Sequence, residues 1–429
     1  MTSTAERLNG LLADVLGGPV PLRLRAWDGS ECGPPGTPVV IVRSRRALRR
    51  LLWQPGELGL AEAYITGDLD IEGDLAEGLR TMWAGAREQR LAPVRPGVGQ
   101  LASAVAAAAR LGAVGPPPKA PAGRARLRGV RHSTARDRAA ISHHYDVSHR
   151  FYELLLDASL AYSCAYWASE DPRYGLADAQ EAKLELVCRK LGLAPGSRLL
   201  DVGCGWGSLA LYAAERHKAQ VTAVTLSREQ RDVVRARVRE RGLGDQVDVQ
   251  LRHYRAIENG QYEAISVIEM GEHVGDTEYP GFAAQLHGLL RPQGRILVQQ
   301  MSRGSTAPGG GAFIESYIAP DMHMRPLGET IGLWEGAGFE VRSAESLREH
   351  YVRTVNAWRA TLEERWEEFV ALVGVEAART WRLYLVGGSL AFEERRMGVD
   401  QILAIRTSDL GWSGMPATTA GWHRAGGAS

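Results

Sequence analysis

From residue 177 to beyond residue 400, short apolar runs alternate with stretches whose apolar positions recur every three or four residues. The runs RLLDVG, QVTAVTL, VDVQLRH, YEAISVIEM and RILVQQM predict strands, and the stretches after them predict helices. This alternation is the mark of parallel strand–helix–strand units with right-handed crossovers. Two late runs, FEVRSAESL and DQILAIRT, would complete seven strands, with a long helical region from Glu349 to about Glu394 between them.

The first part of the chain has a different rhythm. VPLRLRAW and TPVVIVRS predict a strand pair across the turn-rich ECGPPG, and ALRRLLWQ and LAEAYITGDLDI predict helical pieces. Residues 1–91 therefore read as a small α+β domain, 92–139 as a linker and 140–429 as an α/β domain. In the linker an alanine-rich stretch, Leu101 to Val114, precedes a basic run with Lys/Arg at 119, 124, 126, 128, 131, 136 and 138 and one acid, Asp137. On charge alone such a run is a solvated connector. Next to an apolar helix it could also hold an anionic membrane surface. The stretch is short of the roughly 20 residues needed to span a bilayer.

At 429 residues, two domains are expected, and 45% hydrophobic with 24% charged residues is a globular composition. The net charge of +1 gives no global attraction to nucleic acid. Cys32, Cys164, Cys188 and Cys204 are irregularly spaced, and no Cys/His spacing suggests zinc. The N-terminus MTSTAERLNG lacks a charged segment followed by an apolar one. A cytoplasmic protein with reduced thiols and at most peripheral membrane contact is expected.

The strongest local signal is the passage from RLLDVG through CGWGS into LALYAAERH, which places Gly203, Gly205 and Gly207 between first strand and first helix. Glycines let the backbone approach a ligand, and the helix start offers free N–H groups. The spacing is not that of a dinucleotide turn. The second strand ends in Thr225-Leu226-Ser227-Arg228-Glu229-Gln230, with no carboxylate at its tip for a nicotinamide ribose. Asp201 opens the D-x-G-C-G-x-G turn, a form suited to a ligand that joins an amino acid to a nucleoside. That points to S-adenosylmethionine.

Further motifs stand in order along the chain: His144-Tyr145-Asp146, Phe151-Tyr152, Tyr162-Ser163-Cys164-Ala165-Tyr166-Trp167, Tyr254-Arg255, and Glu269-Met270-Gly271-Glu272-His273-Val274-Gly275. Together with LLDVGCGWG and TLSREQ they resemble the cyclopropane-fatty-acyl-phospholipid synthase family over about residues 140 to 407. The resemblance implies a class I methyltransferase domain with a Rossmann-like seven-stranded sheet. It implies that Tyr162, Ser163, Asp201, Gly203, Gly205, Thr225, Ser227, Gln230, Tyr254 and Arg255 line the cofactor. It also implies a bicarbonate ion that accepts a proton, held by Cys164, Glu272, Tyr351 and a backbone group at Met301. Two positions depart from the family pattern: Gln299 stands where a histidine is usual, and His253 where Asp is usual. Relatives that resemble branched-chain fatty acid methyltransferases also carry Gln at the first. Without the resemblance, Cys164 reads as a small buried apolar side chain and Tyr351 as an ordinary half-buried tyrosine.

An isolated alkene is a poor nucleophile, so methylating it requires a strong electrophile held in line and a dry pocket for the resulting cation. Tyr145, Phe151, Tyr152, Tyr166, Trp167 and Trp206 are candidate walls. The expected function is methyl transfer to the cis double bond of an unsaturated acyl chain on a phospholipid, closing a cyclopropane ring. A methyl or methylene branch and a catalytically silent lipid-binding relative are the alternatives, and the oligomeric state, a homodimer included, stays open. Among candidate catalytic residues (Cys164, Glu272, Gln299, Tyr351), Glu272 is the one expected to hold or replace the base.

Overall fold

The structure, a computed structural model, describes residues 2–16, 22–88, 105–125, 127, 129–133, 136–140, 148–258, 260–304 and 310–422. Its contacts divide the chain into two units. One comprises Met1–Arg124, Gly311–Tyr317 and Trp366–Leu390; the other comprises Ala125–Gly310, Ile318–Arg365 and Ala391–Ser429.

In the first unit, β1 (Arg23–Arg25), β2 (Glu31–Cys32), β3 (Val39–Val42) and β4 (Leu69–Ile71) form a sheet of order β2-β1-β3-β4. The expected pair is present as β1 and β3, but they run parallel, and β2 borders β1 antiparallel. Residues 69–71 depart from the helical reading of LAEAYITGDLDI. The helix Glu57–Ile65 stops before Gly67 (φ +73°), and the chain then returns as β4 against β3. A glycine free to take positive φ makes that reversal inexpensive. The core includes Leu8, Val40, Val42, Tyr64, Ala108, Leu111, Val386 and Leu390. Thus Ala108, Leu111 and Ala113 of the alanine-rich stretch are packed in this core while Val105 and Val114 stay exposed, and the last helix of the long helical region supplies two residues to it. Residues 140–429 are thus not one domain as their pattern predicts: the contacts place 311–317 and 366–390 with the N-terminal residues.

The second unit contains β5 (Arg198–Val202), β6 (Gln220–Thr225), β7 (Val247–Leu251), β8 (Tyr262–Ile268), β9 (Leu290–Ser302), β10 (Glu340–Ser346) and β11 (Gly398–Ile405) in the order β10-β11-β9-β8-β5-β6-β7. All seven expected runs are strands. β5, β6, β7, β8 and β9 are parallel, and β11 pairs antiparallel with both β9 and β10. Burial on both faces explains why these strands read as near-continuous apolar runs. Leu199 joins a cluster with Val187, Leu209 and Val234, whereas Leu200 joins one with Phe282, Leu286 and Trp334, so successive residues of β5 serve opposite faces. Strand order reverses between β5 and β8, and the carboxyl ends of strands at such a reversal open a crevice for ligands.

Candidate active site

At the carboxyl end of β5 the chain enters the glycine turn. Gly203 has φ +80°, and a Cβ there would lie 2.8 Å from Met270 Cγ. Gly207 has φ +83°, and a Cβ there would lie 2.7 Å from Val234 Cγ1. Backbone conformation and space both require glycine at these positions. The helix Ser208–His217 starts directly after them.

The turn floors a cleft enclosing about 1230 Å³, its open mouth included, all of it within the second unit. Tyr162, Ser163, Asp201, Gly203, Gly205, Thr225, Gln230, Tyr254 and Arg255 line it, so nine of the ten expected cofactor residues come together. Ser227 is the exception. Its hydroxyl accepts from Gln230 N at 3.2 Å and caps the helix Arg228–Glu240. Through that cap it positions Gln230, whose Oε1 accepts from Thr225 Oγ1 at 2.6 Å and whose buried Nε2 has no partner. A buried donor left open in a ligand cleft fits an acceptor on the cofactor. Where Asp is usual, His253 accepts from Arg255 N at 3.1 Å, and Asp137 approaches its Nε2 at 3.5 Å. A carboxylate is thus brought to the cleft from a distant part of the chain.

Two buried charges under the cleft went unread or half-read in the sequence. Burial pushes the Asp201 carboxyl up to about 6, against a hydrogen bond from Ser266 Oγ at 2.7 Å. Lys183, also buried, donates to Ser163 Oγ at 2.8 Å; desolvation lowers its proton affinity and Glu269, Asp157 and Asp201 oppose that. Its position inside a helix, Leu176–Leu191, gave the sequence reading no reason to select it.

The expected catalytic residues converge on one side chain that was not selected. β8 ends at Ile268, and Glu269 turns away at φ +48°, a backbone region uncommon for residues other than glycine. Glu269 N donates to Gln299 O at 2.7 Å, and the Glu269 carboxylate swings in among the expected ion ligands. Its Oε1 accepts from Cys164 N at 2.7 Å and from Gln299 Nε2 at 2.8 Å. Its Oε2 accepts from Tyr351 Oη at 2.6 Å. The Met301 N–H donates to Glu272 Oε1 at 2.6 Å, leaving Glu272 Oε2 buried without a partner. Every donor that the resemblance assigns to bicarbonate therefore serves a carboxylate of the chain. A further anion would meet two acidic side chains and no free donor of that set, so the residues do not fit the ion.

Gln299 is fixed in orientation from both ends. Lys190 Nζ donates to Gln401 Oε1 at 2.7 Å, and Gln401 Nε2 donates to Gln299 Oε1 at 2.9 Å. The Gln299 amide nitrogen is left to face Glu269 and Cys164 O, at 2.8 and 3.2 Å. Desolvation raises the proton affinity of both acids. For Glu272 it reaches about 8, with the Glu269 charge as second cause; the Glu269 carboxyl is also raised, against the hydrogen bond from Tyr351. The Cys164 thiol is pushed up by burial and points at the carbonyls of Ala165 and Leu347, so this residue acts on Glu269 through its backbone N–H.

Of the candidate walls, Trp206 lines the cleft, and Tyr152 packs against both Trp206 and Tyr162 at 5.3 and 5.4 Å between ring centroids. Phe151 is fully buried behind them, edge-on to Tyr152. Tyr166 and Trp167 turn elsewhere: Tyr166 stacks on His350, and Trp167 lies under Arg353 and donates to Thr354. His144, Tyr145 and Asp146 lie outside the described residues.

In comparisons with known proteins, residues 132–402 match the family model described as mycolic acid cyclopropane synthetase. A protein called a probable fatty acid methyltransferase, from Mycobacterium tuberculosis, is 36% identical over 408 residues, covering 92% of this chain and 93% of its own length. A tuberculostearic acid methyltransferase of the same organism is 30% identical over 408 residues, covering 90% of this chain and 88% of its own. The solved structure of a mycolic acid cyclopropane synthase complexed with SAH and CTAB superposes with a TM-score of 0.59 at 30% identity, over 62% of this chain and 98% of that one.

Proposed function

The chain belongs to the mycolic acid cyclopropane synthetase family and is an S-adenosylmethionine-dependent C-methyltransferase, and from that premise we propose that its acceptor is the cis double bond of an unsaturated fatty acyl chain carried on a phospholipid. One observation carries this reading: the Tyr162–Ser163 segment and the glycine turn at Gly203 and Gly205 line one cleft, with the buried Glu269 carboxylate in its wall.

The cofactor supplies an electrophilic methyl group on sulfonium. The protein's contribution is positioning and exclusion of water. The glycine turn, Gln230 and Ser163 orient the donor, and the rings of Tyr162 and Trp206, backed by Tyr152, give the cleft a π-faced side that tolerates developing positive charge. Among rival acceptors, a small polar amine or alcohol would need its own activating base in a polar pocket.

Closure of a cyclopropane ring is the first reading of the product. A methyl or methylene branch is the second, supported by Gln299 in place of the usual histidine and by the resemblance over most of the chain to a tuberculostearic acid methyltransferase. An acyl chain delivered from phospholipid implies contact with a membrane surface. Among the described residues no helix is long and apolar enough to cross a membrane. Within the basic run, Arg124 is engaged by Glu62, and Arg131 and Arg136 by Asp321, which leaves less of it to meet lipid headgroups.

Incubating the protein with methyl-labelled cofactor and unsaturated phospholipid vesicles tests the reading. Label on acyl carbon, with a gain of one CH₂ per chain, is expected. Label on a headgroup, or none, overturns it. Resistance of the product to mild hydrogenation separates the ring from a methylene branch, and a saturated methyl branch would show instead a gain of CH₄ and require a separate hydride donor.

A further inference from the structure

We propose that the Glu269 carboxylate is the proton acceptor of the reaction, so that this enzyme carries its base within the chain and needs no bound bicarbonate. The inference rests on the methyl-transfer reading above. Four observations support it.

First, Glu269 lines the same cleft as the glycine turn and Ser163. Second, its two oxygens collect three donors, from Cys164, Gln299 and Tyr351, and three donors on one carboxylate favour its charged form. Glu272 receives one donor and has an orphaned oxygen, so of the two acids it is the one that keeps a proton. Third, the backbone of Glu269 is held at φ +48°, a strained conformation that persists only where the surroundings impose it. Fourth, the Lys190–Gln401–Gln299 chain leaves the Gln299 amide able only to donate toward Glu269. A glutamine there holds an ionised carboxylate without competing for its proton.

A bond forms between the transferred methyl carbon and one alkene carbon as the carbon–sulfur bond breaks, its electron pair staying on sulfur. The other alkene carbon becomes cationic. A C–H bond of the newly attached carbon then breaks. Its electron pair closes the ring onto the cationic carbon, and the proton passes to a Glu269 oxygen. The proton leaves to solvent after product release, restoring the carboxylate.

The experiment uses the full chain with S-adenosylmethionine and vesicles of dioleoyl phosphatidylglycerol, in buffer stripped of carbon dioxide or supplemented with bicarbonate. Wild-type turnover should be equal in both. Glu269→Gln should lose at least a hundredfold in rate while binding S-adenosylhomocysteine within threefold of wild type. Glu269→Gly, which frees the three donors, should regain rate when bicarbonate or formate is added. Wild-type turnover that collapses on removal of bicarbonate and returns with it overturns the proposal but leaves the methyl-transfer reading standing. So does near-normal turnover of Glu269→Gln. A wild-type protein that labels no acyl carbon in either buffer overturns both. If Glu269→Gln fails to fold, the wild-type comparison still decides.

Discussion

Glu272 is the residue whose environment makes the sharpest claim. Its carboxyl is pushed up to about 8, chiefly by burial and then by the Glu269 charge. An unfolded chain releases that proton near pH 4.3. Between those values the folded state binds more protons than the unfolded one, so this group's contribution is fully present below about 4.3 and is lost as pH rises toward 8. The expected outcome is a thermal midpoint that falls between pH 5 and 8, with a shallower fall in Glu272→Gln; identical slopes in the two proteins would contradict it. A second outcome follows from the thiols. Burial pushes Cys164, Cys188 and Cys204 up, whereas Cys32 is half-exposed. Brief iodoacetamide treatment near neutral pH should label Cys32, and peptide mass spectrometry should find the other three modified only after unfolding. The sequence showed both acids in one motif but gave a catalytic role only to Glu272, not to Glu269 three positions earlier. What distinguishes Glu269 is a left-handed backbone and three donors gathered from residues 164, 299 and 351, none of which is a property of local pattern.

At the scale of elements, the seven strands and the glycine turn were legible because their causes are local. A parallel strand buried on both faces must be apolar throughout, and a turn at positive φ must be glycine. The turn therefore yields a direct test. Gly207→Ala places a methyl 2.7 Å from Val234 Cγ1 on a backbone at φ +83°. The conformational term alone costs about 1–2 kcal/mol, so a lower urea midpoint with weaker cofactor binding by calorimetry is expected, and an unchanged midpoint would count against the geometry. β4 was illegible for the opposite reason: Leu69–Ile71 is too short to show a period and is a strand only because β3 lies beside it. The same holds for the alanine-rich stretch. Its composition allows a surface helix as readily as a core one, and only the presence of Leu8 and Val40 around Ala108 and Leu111 decides.

At the scale of the whole molecule, the division of the chain was the part that sequence pattern could not convey. The helices of 366–390 look amphipathic whichever core receives their apolar faces. In the first unit, buried Glu62 accepts from Arg50 Nη1 at 2.8 Å and from Tyr317 Oη at 2.9 Å, and Arg124 approaches it at 3.4 Å. Removing one partner of a buried pair typically costs 3–5 kcal/mol, so Arg50→Ala should shift the denaturation curve by about that much, a loss under 1 kcal/mol telling against the pairing. A fragment ending at residue 124 would lack Tyr317, Val386 and Leu390, and it should show no cooperative melt by circular dichroism. The same threading sets a timetable for biosynthesis. At roughly 5–20 residues per second on the ribosome, tens of seconds separate the emergence of Arg124 from that of Leu390, so the portion of this unit made first waits with part of its apolar surface uncovered until its last helix arrives.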